Sequence, residues 1–401
     1  MMRIITRTVW ILSLVSLFAD IASEMLYPVI PLYLQQTGFS VFWIGLLEGV
    51  AGFTAGISKG YFGKLSDEKG LRLPFVKGGY LLSAVSKPML AVPAAIGMVA
   101  IGTAFKLWIF FARSLDRLGK GLRTAARDAL LSKEATPATK ARVFGFHRGM
   151  DTLGATLGPL ITLGLLFYYP GRYTTIFYLA FIPGLLSVLL IFLLREKKEP
   201  ASTLRKGNFF SFFAYWRIAT PSYKRLISAL VLFAIANSSD VFLLLRAKQI
   251  TGSDNFTIIA YIFYNLVYAL GSYPMGIVAD RVGKKKVFLG GLFLFAVVYG
   301  GFMWNGSVAG VYVLFFLYGL YSASTEGIAK AWITNIAHDH DTGTAIGFYT
   351  SLESVASLMA SVIAGILWSS AGSSYLFLFS SVLTVAVIVY LWKTYRTDHT
   401  V

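Results

Sequence analysis

The chain has 401 residues, of which 56% are hydrophobic and 14% charged, and it contains no cysteine. Soluble domains carry roughly 25% charged residues, so this composition excludes an ordinary soluble protein and implies a polytopic membrane protein. Disulfides and thiolate metal sites are excluded as well, and the formal net charge of +17 becomes informative only once its placement along the chain is known.

Basic residues Arg3 and Arg7 precede an apolar run that continues past Asp20 to about Leu34. No small-x-small cleavage pattern follows it, so a retained first span is expected. Further apolar stretches long enough to cross a bilayer as helices recur to the end of the chain. The twelve expected spans lie near 8–35, 41–62, 75–98, 101–130, 141–168, 174–194, 223–249, 256–279, 286–304, 309–337, 342–369 and 374–394. One long polar segment, 195–222, is read as a cytoplasmic linker between two six-helix bundles, 1–194 and 223–401.

Lysine and arginine fall in every second loop. With both termini in the cytoplasm, the inner loops hold Lys64, Lys69, Arg72, Lys133, Lys140, Arg142, the basic linker and Arg281 to Lys286. The outer loops hold little beyond Arg172. This positive-inside bias orients the chain in a cell membrane and accounts for the basic excess without nucleic acid.

The halves repeat one another. "GKLSDEKGLR" and "GIVADRVGKKK" place Gly63 and Gly276, Asp67 and Asp280, and Gly70 and Gly283 at one offset of 213 positions. "GFHRGMD" and "GFYTSLE" share an offset of 202. Parallel repeats with a site at their interface are a transporter plan.

On these motifs the chain resembles the major facilitator superfamily over essentially its whole length. The loops with Gly63, Asp67, Gly70 and Arg72, and with Gly276, Asp280, Arg281, Gly283 and Lys284, are similar to that superfamily's motif A. Glu68 stands where the first copy would have arginine. "GATLGPLITLG", through Gly154, Gly158 and Pro159, resembles the motif C of proton-coupled exporters. Arg113 resembles the arginine of motif B, although the glycines after it are spaced differently. The resemblance implies an all-α fold of two pseudo-symmetric six-helix bundles, alternating access, cytoplasmic gating by the two motif A loops, and export.

The residues themselves point to a charged interior. Arg113 lies about two helical turns inside Lys106, and Arg113, Asp116, Lys120, Arg123 and Arg127 step by three or four, so they share one helical face. Charges at that depth face a bundle interior or water, so this face is expected to wall a central cavity, with Arg148, Arg246, Glu326 and Lys330 added from other spans. Asp151 follows Arg148 by three and Glu326 precedes Lys330 by four, which predicts pairing within each helix. Asp20 and Glu24 share a face without a cation on their own helix and are the first candidates to carry a proton. Glu48, Asp151, Asp240 and Glu353 are the others.

The expected function is therefore secondary active transport of a small anionic, zwitterionic or amphiphilic solute, proton-coupled and outward, by a monomer. The alternatives are a proton-coupled importer of an anionic metabolite or metal chelate, a multidrug exporter of lipophilic cations, and a non-transporting membrane sensor. A membrane enzyme would need a nucleophile and base or a metal set, and four histidines without cysteine offer little. "HDHD" at 338–341 reads as a solvated turn rather than metal ligands. No cofactor is expected, and the partners are the solute, protons and membrane lipids.

Overall fold

The computed structural model describes residues 4–39, 41–97, 102–169, 171–196, 209–252 and 254–394, and these residues hold helices and no strand. In chain order the helices are α1 Arg7–Glu24, α2 Val29–Gln36, α3 Val41–Lys69, α4 Leu73–Met89, α5 Val92–Ala95, α6 Thr103–Lys133, α7 Lys140–Tyr168 and α8 Tyr173–Ile191. There follow α9 Tyr215–Ile218, α10 Pro221–Ala236, α11 Val241–Thr251, α12 Asp254–Val282, α13 Lys284–Trp304, α14 Val308–Ile336, α15 Thr342–Ala371 and α16 Ser373–Thr394.

A backbone in hydrocarbon must satisfy its own polar groups, which long helices do. Eight stretches, from Lys140 to Thr394, are long and apolar enough to cross a membrane by length and composition alone. The earlier helices fall short for visible reasons. The helix α6 carries a charged face, and α4 has 17 residues with Pro88 near its end.

Two expected spans are broken. The first stops at Glu24 and restarts at Val29, just after Pro28, which lacks an amide donor. The seventh stops at Ala236 and restarts at Val241. Its first part opens with Pro221 and is capped by Thr220, whose hydroxyl accepts the Tyr223 N–H at 3.2 Å.

In the N-terminal part, α1 packs on α7 and α8, and α6 packs on α3 and α4. In the C-terminal part, α12 and α13 pack on α14, and α16 packs on α13 and α10. Small residues bring the helices close. A Cβ on Gly154 would lie 2.5 Å from the Leu17 carbonyl oxygen, and one on Gly158 would lie 2.8 Å from the Cβ of Glu24. The stretch with Gly154, Gly158 and Pro159 is thus the tight crossing of α7 over α1.

Two seams join the parts. Helix α3 meets α15, and α7 meets α12. Both are glycine seams. A Cβ on Gly63 would sit 2.4 Å from the Gly343 carbonyl, and one on Gly276 would sit 2.4 Å from that of Ala141. Both seams lie toward the ends that carry the basic loops, and the cavity described next lies on their far side.

Candidate functional site

A cavity of about 610 Å³ lies between the two parts, within the range of small-molecule sites. Helices α1, α3, α6, α7, α10, α13, α14 and α15 line it. Among the described lining residues are seven cations and four carboxylates, a formal excess of three positive charges. The cations are Lys59, Arg117, Lys120, Arg123, Arg127, Arg148 and Lys330, and the carboxylates Asp20, Asp151, Glu326 and Glu353.

The floor of this cavity is a lattice of ion pairs that crosses between the parts. Arg148 on α7 holds Asp151 at 2.6 Å on its own helix and Glu326 of α14 at 2.5 Å. Its Nε donates to the hydroxyl of Tyr268 on α12 at 2.5 Å. In the reverse direction, Lys330 of α14 reaches Asp128 of α6 at 2.7 Å. Arg127 donates to Asp128 at 3.0 Å and to the Ser16 hydroxyl at 2.9 Å, and Ser16 in turn donates to Asp151 at 2.5 Å. The expected pairing of Arg148 with Asp151 is present. The expected pairing of Glu326 with Lys330 is not, because each finds a partner across the cavity.

Above this floor the basic wall is less paired. Arg123 is 3% exposed and its guanidinium stacks over the Tyr80 ring at 4.3 Å. Its Nε and Nη1 are buried without a hydrogen-bond partner. A buried donor left unmade costs about 1–3 kcal/mol, more when charged. Lys59 and Lys120 enter no ion pair among the described residues, although Glu353 attracts the first and Asp20 the second. Asp20 also neighbours Asp151, so two carboxylates adjoin at the edge of the lattice. Glu353 accepts from the Tyr349 hydroxyl at 2.7 Å.

Five expected cavity residues or proton carriers lie outside the cavity lining. Arg113 and Asp116 are buried between α6 and α4, where Asp116 accepts from Ser83 at 2.6 Å and pairs with Lys87 at 3.2 Å and Arg113 at 3.5 Å. They share a helical face with Arg123, but α4 covers that face at their level. Arg246 donates to the Phe302 carbonyl at 3.1 Å and to Gln249 at 3.4 Å, away from the cavity lining. Asp240 stands at the break between α10 and α11 and accepts from Tyr318 at 2.7 Å. Glu24 faces Lys120, Arg117 and Arg113. The Glu48 side chain lies outside the described residues. In the 338–341 turn, the side chain of Asp339 is also outside them, and no metal-holding cluster occurs among the described residues.

The two repeated loops make matching contacts. Asp67, at the end of α3, accepts from the Thr344 N–H at 2.6 Å, at the start of α15, and pairs with Arg72 at 3.2 Å. Asp280, at the end of α12, accepts from the Ala141 and Arg142 N–H groups at 3.1 and 3.0 Å, at the start of α7. Lys284 stands 3.6 Å from Asp280, and Arg281 is exposed. In both loops a carboxylate from one part caps the N-terminus of a helix in the other, where the helix dipole favours negative charge. Gly70 and Gly283, at φ 61° and 107°, make the turns that follow. Both loops are thus bound across the seams in this conformation.

A profile of the Major Facilitator Superfamily matches residues 12–263 and 226–401. The chain belongs to this superfamily. It is a multi-pass membrane transporter, not an enzyme. It is 32% identical over 390 residues to an uncharacterised MFS-type transporter of Methanocaldococcus jannaschii, covering 96% of this chain and 94% of that one. It is 23% identical over 389 residues to the multidrug resistance protein MdtG of Proteus mirabilis, covering 93% and 92%. Two solved structures share the fold. The human organic anion transporter MFSD10 superposes with a TM-score of 0.78 at 17% identity, over 96% of this chain and 99% of that one. The transporter FucP in its outward conformation does so with 0.79 at 13% identity, over 99% and 100%.

Sequence reasoning missed Lys59, Ser16 and Lys87, whereas Tyr268 and Tyr349 stood among the aromatic residues read as candidates to line a pocket. Lys59 carried a signal, since it is a lone cation in a glycine-rich apolar span. Ser16 and Lys87 carried none, because their roles depend on which helices are neighbours.

Proposed function

We propose that this transporter moves a small organic anion by alternating access, outward across the inner membrane and in exchange for protons. The observation that carries the anion reading is Arg123, a buried guanidinium on the cavity wall with two donors unmet. Lys59 and Lys120 add unpaired positive charge beside it. On the C-terminal side, Phe233, Tyr321 and Leu358 offer apolar surface for the body of the solute. Export is supported by the tight α1–α7 crossing at Gly154 and Gly158, and by relatives named for multidrug resistance.

Asp20 and Asp151 are the proposed proton site. Two adjacent carboxylates repel when both are ionised, and one shared proton relieves that repulsion. In this scheme 1–194 and 223–401 are the rocking bodies of a monomer, 195–222 connects them, and both termini are cytoplasmic. The Asp67 and Asp280 contacts are the latch that must part when the cavity turns to the cytoplasm.

The test is ligand-induced thermal stabilisation of the detergent-purified protein against organic anions and lipophilic cations, beside Arg123→Gln. Anions are expected to stabilise the wild type and to lose that effect in the variant. Stabilisation by lipophilic cations alone would replace this reading with multidrug cation export, with Glu326 and Glu353 as the recognising groups.

A further inference from the structure

The segment before α9 is polar by composition at its start but aromatic at its end. Phe212 is fully buried, and a Cβ on Gly60 of α3 would lie 2.4 Å from its ring. Phe213 and Trp216 meet Phe348 of α15 at centroid distances of 6.0 and 5.8 Å, the latter stacked at 21°. One short strap therefore touches both helices of the α3–α15 seam.

Beside the strap an apolar groove of about 550 Å³ runs between it, α10 and α15. Trp216, Ile227, Val231, Ile235, Phe348 and Leu352 supply most of its surface. Ser228, Val231 and Ile235 recur at helical spacing along α10, and Lys224 continues that row one turn nearer the basic loops. The Lys224 Nζ donates to the Arg217 backbone carbonyl at 3.4 Å, and Arg217 follows Trp216 of the groove wall, so both residues are rooted at the same end of the groove. Neither pairs with a carboxylate among the described residues. An apolar slot at membrane depth, with unpaired cations at its watery end, matches a lipid whose headgroup is anionic.

We propose that this groove is a specific site for an anionic phospholipid, acyl chain along α10 and headgroup at Lys224 and Arg217. A lipid seated there also pins the strap against α3 and α15, and so favours the closed seam.

The full chain in detergent, titrated with phosphatidylglycerol or with phosphatidylcholine of the same acyl chains, tests the site. Phosphatidylglycerol is expected to raise Tm saturably by several degrees and phosphatidylcholine much less. The double variant Arg217→Gln/Lys224→Gln should reduce the first response to the level of the second. Val231→Trp, which fills the slot, should abolish both responses. An equal response to the two lipids in the wild type, or a full phosphatidylglycerol response in the double variant, overturns the site. The double variant changes no fully buried residue, so the question is decided even if Val231→Trp does not fold. The pinning is read separately, from maleimide labelling of a single cysteine at Ser351 of α15, whose hydroxyl donates to the Gly56 carbonyl of α3 at 2.8 Å across the seam. Labelling should be slower in phosphatidylglycerol vesicles than in phosphatidylcholine vesicles, and equal rates overturn the pinning.

Discussion

Arg123 and Arg148 lie in the same cavity and do different work. Arg148 is saturated by Asp151, Glu326 and Tyr268, so a ligand would have to displace existing bonds to use it. Arg123 has Tyr80 on one face and two donors with nothing to meet. Hydrogen bonds to a charged group contribute about 1.5–3 kcal/mol. Arg123→Gln is therefore expected to weaken anion affinity by roughly thirty-fold, corresponding to about 2 kcal/mol, while leaving Tm without ligand near that of the wild type. Calorimetric titration of the purified variant reads both. Arg148→Gln should instead lower Tm without ligand, because it strands Glu326 and leaves Asp151 to the Ser16 hydroxyl and Arg127 at 4.0 Å.

At the scale of the helix, the seams depend on what glycine omits. A Cβ on Gly276 must push the start of α7 away from α12, since the Ala141 carbonyl stands 2.4 Å from where it would be. Overpacking of this kind costs about 1–3 kcal/mol. Gly276→Ala is expected to shift the population toward the conformation open at the basic loops. The absence of native cysteine makes this measurable by faster maleimide labelling of a cysteine at Ser351. These helix-scale features were the most legible in the sequence. The shared offset of Asp67 and Asp280 marked both loops, and each carboxylate does cap a helix across a seam. Spacing within a helix was a weaker guide. Arg113 and Arg123 share a face, yet only Arg123 meets the cavity, because periodicity says nothing about where α4 lies. Glu326 and Lys330 have the spacing of a pair, yet both turn to α6 and α7. Pairing between helices depends on their packing, which a single chain pattern does not encode.

The whole molecule is held in one conformation by contacts in two layers, the loop carboxylates and the charge lattice beneath the cavity. Asp67→Asn and Asp280→Asn each remove a charged cap from one seam. Their effects on labelling at Ser351 should add, since the loops share no partner. The lattice should not be additive. The Arg148–Glu326 pair opens to the cavity, with side chains 31% and 46% exposed, so breaking it costs less than breaking a fully buried pair, yet removing both members still costs less than the two single changes together. A double-mutant cycle with Arg148→Gln and Glu326→Gln, read by Tm, should show the double variant to be more stable than the sum of the single changes implies.

The composition of that lattice bears on how freely the two bodies can separate. Each lends one charge across the gap: Arg148 reaches to Glu326, and Lys330 reaches to Asp128. When they part, Arg148 still has Asp151 and Asp128 still has Arg127. Glu326 and Lys330 are left on one helix, four residues apart, with the acid on the N-terminal side, which is the favourable order for a pair. In the proposed opposite conformation, the pairing expected from spacing alone is thus the arrangement we expect. In the proposed cycle these four interfacial charges exchange partners rather than lose them. That keeps the electrostatic barrier to turnover low in a protein whose interior is otherwise costly for ions.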